Sequence, residues 1–127
     1  MSDDKTKDLK DAAPDVAKHV LRDGHEIPQL GFGTYPMDDA EAEALIPEAV
    51  WRGYRLIDTA VNYGNERGVG LGVRYCDIPR SDLFLTSKLP GRDHGTDSVR
   101  RSLEGTLERL GTDYLDLYLI HWPNPSV

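Results

Sequence analysis

The sequence predicts an α/β fold, a short β-hairpin followed by about four β/α units on a parallel sheet. Two observations carry this. Four short apolar runs, "QLGFGTYP", "YRLID", "DLFLTSK" and "YLDLYLIHW", punctuate the chain, and each of the first three leads through a short loop into residues at helical spacing. Regular alternation of this kind makes the strands parallel, because a crossover helix carries the chain back before the next strand begins.

The elements follow in order. In "HVLRDGHEIP" the Asp23-Gly24 dipeptide separates two short alternating runs and supplies the positive φ of a tight hairpin turn. "QLGFGTYP" reads as a buried strand ending in glycines, and "DDAEAEALIPEAVWRG" as a helix whose early acids suit its N-terminal dipole. Pro47 predicts a kink or a delayed start there, since an interior proline removes one backbone bond and clashes with the preceding turn. "YRLID" is the next strand, and "NERGVGLGVRYC" a helix weakened by Gly68, Gly70 and Gly72. After the strand "DLFLTSK", the residues Val99, Leu103, Leu107 and Leu110 recur at helical spacing, with Thr96 or Asp97 placed to cap and Gly111 to stop the run. "YLDLYLIHW" is the fourth core strand.

Residues 1–18 stand apart. They hold five aspartates, four lysines and no aromatic residue, a composition that buries too little apolar surface to offset its ordering entropy, so a disordered tail is expected there and a folded unit over 19–127. The tail lacks the apolar core of a secretory signal, and no stretch approaches the roughly 20 apolar residues of a membrane span, which points to the cytoplasm. A net charge of −7 disfavours nucleic-acid phosphates and anionic lipid as partners. A single cysteine, Cys76, excludes an intrachain disulfide and suits a reducing compartment. His19, His25 and His94 read as surface residues, and no histidine or cysteine pair has zinc-ligand spacing, so no metal is expected.

Chemistry gathers where the strands end. "RLID" ends in Asp58, "LFLTSK" in Lys88 and "LYLIH" in His121, while Tyr63 follows Asp58 by five residues in "GYRLIDTAVNYGNE". In parallel β/α architectures all carboxyl ends lie on one face, where active sites of barrels sit, so these distant residues converge. The two-residue period puts Leu115, Leu117, Leu119 and His121 on one side of the last strand. Singly, Lys88 reads as a snorkelling lysine and His121 as a hydrogen-bonded structural residue; together with Asp58 and Tyr63 they read as one site. A phenol, with an unperturbed pKa of about 10, is a poor acid near neutrality. A neighbouring Lys88 ammonium would stabilise the phenolate, Asp58 would hold that ammonium charged and oriented, and His121 would hydrogen-bond the reacting oxygen. Such a site protonates an oxygen that gains negative charge, as a carbonyl does on accepting hydride, and the hydride must come from a nicotinamide cofactor because no side chain can donate it.

These residues resemble the aldo-keto reductase family. "GYRLIDTAVNYGNERGVG" is similar to the family's signature around its catalytic aspartate and tyrosine, "TSKL" to its lysine segment and "LIHWP" to its histidine segment, and the likeness runs from His19 to Pro123. The resemblance implies that Tyr63 is the acid, that Lys88 and Asp58 tune it, and that His121 orients the substrate; Trp122 beside it reads equally as a wall of the substrate cavity and as plain barrel packing. It implies that Gly33, Thr34 and Tyr35 in "LGFGTYP", together with Asp58, lie beside the nicotinamide of NADPH. It also implies an eight-stranded (β/α)8 TIM barrel reducing small-molecule aldehydes and ketones. Neither glycine cluster fits the G-x-G-x-x-G pattern of a Rossmann domain. Such a barrel needs about 250 residues, so the 127 residues here are expected to form its N-terminal half. The later cofactor-stacking strands and the substrate-shaping C-terminal loop would then lie outside them, and the open sheet edges would invite self-association. The rival readings are a non-catalytic binding or regulatory subunit and a truncated product of the same ancestry.

Overall fold

The structure, a computed structural model, describes residues 16–124. The first fifteen residues of the expected tail lie outside that range, and Lys18, the last of them by the sequence reading, instead opens the first strand.

Strands β1 (Lys18–Val20) and β2 (Glu26–Pro28) pair antiparallel as a separate hairpin, His19 opposite Ile27. Its turn has three residues rather than two. Leu21 accepts from the Gly24 amide and donates to the His25 carbonyl, and only Gly24, at φ 89°, takes the left-handed conformation expected of the Asp23-Gly24 pair.

The main sheet is parallel and runs β3 (Gly31–Gly33), β4 (Leu56–Asp58), β5 (Phe84–Leu89), β6 (Leu117–Ile120) in spatial order. Helices α1 (Asp39–Trp51), α2 (Glu66–Arg74) and α3 (Thr96–Leu110) link successive strands. This is the predicted α/β unit, the N-terminal part of a (β/α)8 barrel. Gly31 and Gly33 are exposed, so β3 is not the buried strand expected from its apolar run.

Helix α1 begins where the chain first offers a cap. Asp38 accepts from the Glu41 amide at 2.8 Å while its own amide donates to the Glu41 carboxylate at 2.9 Å, a reciprocal capping box. The helix then runs unbroken through Pro47, so the delayed start does not occur. Ala42, Ile46, Ala49 and Val50 form its buried stripe, which packs with Ile57, Val69, Leu83, Leu85 and Leu110 into the core between helices and sheet. Each fully buried aliphatic side chain there contributes about 1.5–3 kcal/mol.

The glycines that weaken α2 as a helix are what let it pack. A Cβ on Gly68 would lie 2.2 Å from the Asp39 carbonyl oxygen, one on Gly70 2.4 Å from that of Leu110, and one on Gly72 2.9 Å from the Ile46 Cβ. Neighbouring helices on both sides therefore approach α2 at backbone distance. A buried ion pair adds to this junction: Glu66, 2% exposed, accepts from Arg109 of α3 at 2.8 Å and from Ser87 of β5 at 2.8 Å.

Helix α3 ends as expected, with Gly111 at φ 65° and the amides of Gly111 and Thr112 donating to the carbonyls of Glu108 and Leu107, a Schellman closure. Its start differs. Gly95, not Thr96 or Asp97, is the N-cap, and no side chain caps it. Val99, Leu103 and Leu107 are only partly buried, while Thr106 and Leu110 carry the packed face.

Candidate active site

Parallel register decides which side chains meet. Gly33 pairs with Asp58, Asp58 with Thr86, and Thr86 with Leu117, so these four form a row on one face. Lys88 and its partner Leu119 stand two residues further toward the carboxyl end of the same face. The alternate residues, Ile57, Leu85 and Ser87, are buried on the helix side. The ladder continues one residue past the strands: Thr34 N–H donates to Asp58, Thr59 N–H to Thr86, and His121 N–H to Leu89.

At this end the predicted group assembles. Lys88 Nζ donates to Asp58 Oδ2 at 2.7 Å and Oδ1 at 2.9 Å, to the Thr59 carbonyl at 3.0 Å, and to Tyr63 Oη at 3.2 Å. Thr86 Oγ1 donates to Asp58 Oδ1 from the next strand and fixes the carboxylate's rotation. The pair is only partly shielded, Lys88 14% and Asp58 30% exposed at the side chain. The ammonium thus faces two negative oxygens on one side and the phenol on the other.

Tyr63 arrives there through its turn. Residues Val61–Tyr63 form a single 3-10 turn closed by Gly64 at φ 67°, a left-handed conformation that favours glycine. His121 stands edge-on to the Tyr63 ring, centroids 5.6 Å apart, and its buried Nδ1 finds no hydrogen-bond partner among the described residues. Trp122 stacks on His121 at 5.8 Å and is 66% exposed. Tyr35, 70% exposed and joined to Pro36 by a cis peptide bond, has its ring 5.1 Å from that of Tyr63.

The expected cofactor residues divide in two. A Cβ on Gly33 would meet nothing within 4 Å, so the space before Asp58 is open, and Tyr35 flanks it. An open face of this kind suits a flat ring such as nicotinamide. Thr34 differs: it is fully buried, its hydroxyl donating to the Asp58 carbonyl at 3.0 Å, and its side chain presents no surface to a ligand.

Two participants escaped the sequence reading. Thr86 sits two residues before Lys88 on the same strand face, a spacing that could have singled it out. Asn65 is fully buried; its amide donates to the carbonyls of Thr34 and Met37 and accepts from Thr59 Oγ1, and nothing in its local pattern announces those partners. Away from the site, burial pushes the Cys76 thiol up to about 11, and the thiol donates to the Gly72 carbonyl, the environment of a packing residue and not of a nucleophile.

The strand ends of this parallel β/α sheet bring a lysine, a carboxylate and a phenol into one hydrogen-bonded cluster at the face where β/α barrels carry their sites. The chain belongs to the aldo/keto reductase family, whose model matches residues 29–127. It is 47% identical over 114 residues to 2,5-diketo-D-gluconic acid reductase B of Corynebacterium sp. (strain SHS752001), covering 90% of this chain and 41% of that protein. It is 50% identical over 103 residues to an aldo-keto reductase of Mycobacterium sp. (strain MCS), covering 81% and 36%. A solved aldo/keto reductase from Brucella melitensis superposes with a TM-score of 0.84 at 50% identity, over 87% of this chain and 43% of that one. The chain therefore spans about two fifths of the length of the relatives it matches.

Proposed function

We propose that the protein of which this chain forms the whole or a part is an NADPH-dependent reductase of aldehyde and ketone carbonyls, with Tyr63 as general acid. One observation carries the reading: Lys88 Nζ lies within hydrogen-bond distance of both the Tyr63 hydroxyl and the Asp58 carboxylate. Gly33 and Tyr35 would flank the nicotinamide, with Asp58 behind them. That cofactor supplies the hydride when bound. Tyr63 gives its proton to the carbonyl oxygen as negative charge develops there. The Lys88 ammonium, 3.2 Å away, stabilises the charge left on the phenol oxygen. Asp58 and Thr86 keep the ammonium in place, and His121 hydrogen-bonds the substrate oxygen beside the phenol. Trp122 forms part of the wall that the substrate meets.

The test is NADPH oxidation by the full-length protein with a panel of aldehydes, ketones and sugar-derived keto acids. Turnover in the wild type and its loss in Tyr63→Phe are expected; equal turnover in both would reject Tyr63 as the acid. We assign the activity to the cytoplasm on the strength of the single cysteine, free and partly buried.

A further inference from the structure

Asn65 occupies the N-cap of α2, a position where an asparagine side chain ordinarily accepts from its own helix. It makes no such bond. The first turn of α2 is capped from elsewhere, by Asp39 of α1, whose Oδ1 accepts from the Gly68 amide at 2.7 Å. The side chain of Asn65 is turned away from its helix and committed to two other segments. Its Oδ1 accepts from Thr59 Oγ1 at 2.6 Å, and its Nδ2 donates to the carbonyls of Thr34 and Met37 at 3.0 Å each and shares a longer contact of 3.2 Å with Thr34 Oγ1.

The consequence lies in what those partners flank. Thr59 and Asn65 are the two ends of the turn that carries Tyr63, so their bond closes that turn on itself. Thr34 and Met37 are the two ends of the loop that carries Tyr35, so the amide pins that loop too. One fully buried side chain thereby ties together the two loops whose tyrosine rings lie 5.1 Å apart at the mouth of the site. Thr59 extends the tie to the ammonium, since its carbonyl accepts from Lys88 Nζ.

We propose that Asn65 is a positioning residue that sets the Tyr63 hydroxyl at its distance from Lys88 and holds the Tyr35 loop against it, an inference that rests on the reductase reading above. Asn65 touches neither substrate nor cofactor, being wholly buried, and acts through the two loops.

Asn65→Ser is the informative variant, because serine is itself a good N-cap and preserves the start of α2 while being too short to span the two loops. In the full-length protein its kcat for carbonyl reduction is expected to fall about tenfold to hundredfold, the loss typical of a misplaced catalytic group. Its KM and its affinity for NADPH, read by fluorescence, are expected to stay near wild type, because Asn65 touches neither ligand. Asp39→Ala, which removes the cap of α2 without touching either loop, is the comparison: its Tm falls, while its kcat per folded molecule stays put. Should Asn65→Ser fail to fold, Thr59→Val decides, since it removes one donor to Asn65 with little change of volume and is expected to lower kcat at unchanged KM by less. A folded Asn65→Ser, or failing that Thr59→Val, with wild-type kcat overturns the positioning role while Tyr63→Phe remains inactive and the reductase reading stands. No turnover by the wild type, or undiminished turnover by Tyr63→Phe, overturns both.

Discussion

Ser87 and Lys88 are neighbours on β5 and point to opposite faces, and each ends at an ion pair. On the helix side Ser87 meets Glu66 and Arg109; on the inner side Lys88 meets Asp58 and Tyr63. In the helix-side pair the carboxylate is sealed: both Glu66 oxygens are occupied, its side chain is 2% exposed, and three elements converge on it, while Arg109 keeps a third of its side chain in solvent. In the inner pair the carboxylate is the more exposed member, at 30%, and the ammonium reaches past it to a phenol. Ion pairs on the two faces of one strand therefore do different work: where the carboxylate is sealed among three elements the pair joins them, and where the cation is aimed at a phenol beside open space the pair can do chemistry.

Variants on each side sharpen that contrast. The largest effect is expected from Tyr63→Phe, which removes the proton and should lower kcat by about 10²–10⁴-fold with cofactor affinity, read by NADPH fluorescence, nearly unchanged. Lys88→Met should also lower kcat steeply, since the charge that stabilises the phenol oxygen as it loses its proton is gone; an undiminished kcat would remove Lys88 from that role. Glu66→Ala should act on stability instead. Breaking a buried pair costs about 3–5 kcal/mol, and the lower end is expected in urea unfolding because Arg109, 33% exposed, can turn to water. Its kcat per folded molecule should match wild type, and a large catalytic loss would dissolve the contrast between the two pairs.

Glycines extend the same comparison at smaller cost. Gly70→Ala drives a Cβ into the Leu110 carbonyl on the helix side, an overpacking worth about 1–3 kcal/mol in unfolding free energy. Gly33→Ala meets nothing on the inner side and should change stability by less than about 0.5 kcal/mol, while weakening NADPH binding by narrowing the space before Asp58.

Much of this was legible in one dimension because the relevant physics is local. The strand-terminal Asp58, Lys88 and His121 follow from parallel β/α order, and Gly111 from the left-handed closure that ends α3. The capping box of Asp38 and Glu41 was equally readable, being a D-x-x-E pattern ahead of an apolar stripe. The cap of α3 was misread because Thr96 and Asp97 look like caps by type alone, whereas the backbone turns helical only after Gly95. Thr34 was grouped with the cofactor residues by the family resemblance of "LGFGTYP", and only its neighbours reveal that its hydroxyl is already taken.

By itself the sequence determined the order of elements, the parallel sense of the sheet and the residues delivered to its carboxyl end, since period, glycine and strand order act over a few positions of chain. Tertiary structure alone decided that Asp39 caps another helix, that Gly68 and Gly70 are contact points and not weaknesses, and that Asn65 binds two loops together. Those outcomes depend on which backbone atoms lie within about 3 Å, the range of a hydrogen bond, and partners about thirty residues away along the chain carry no mark of one another until packing brings them there.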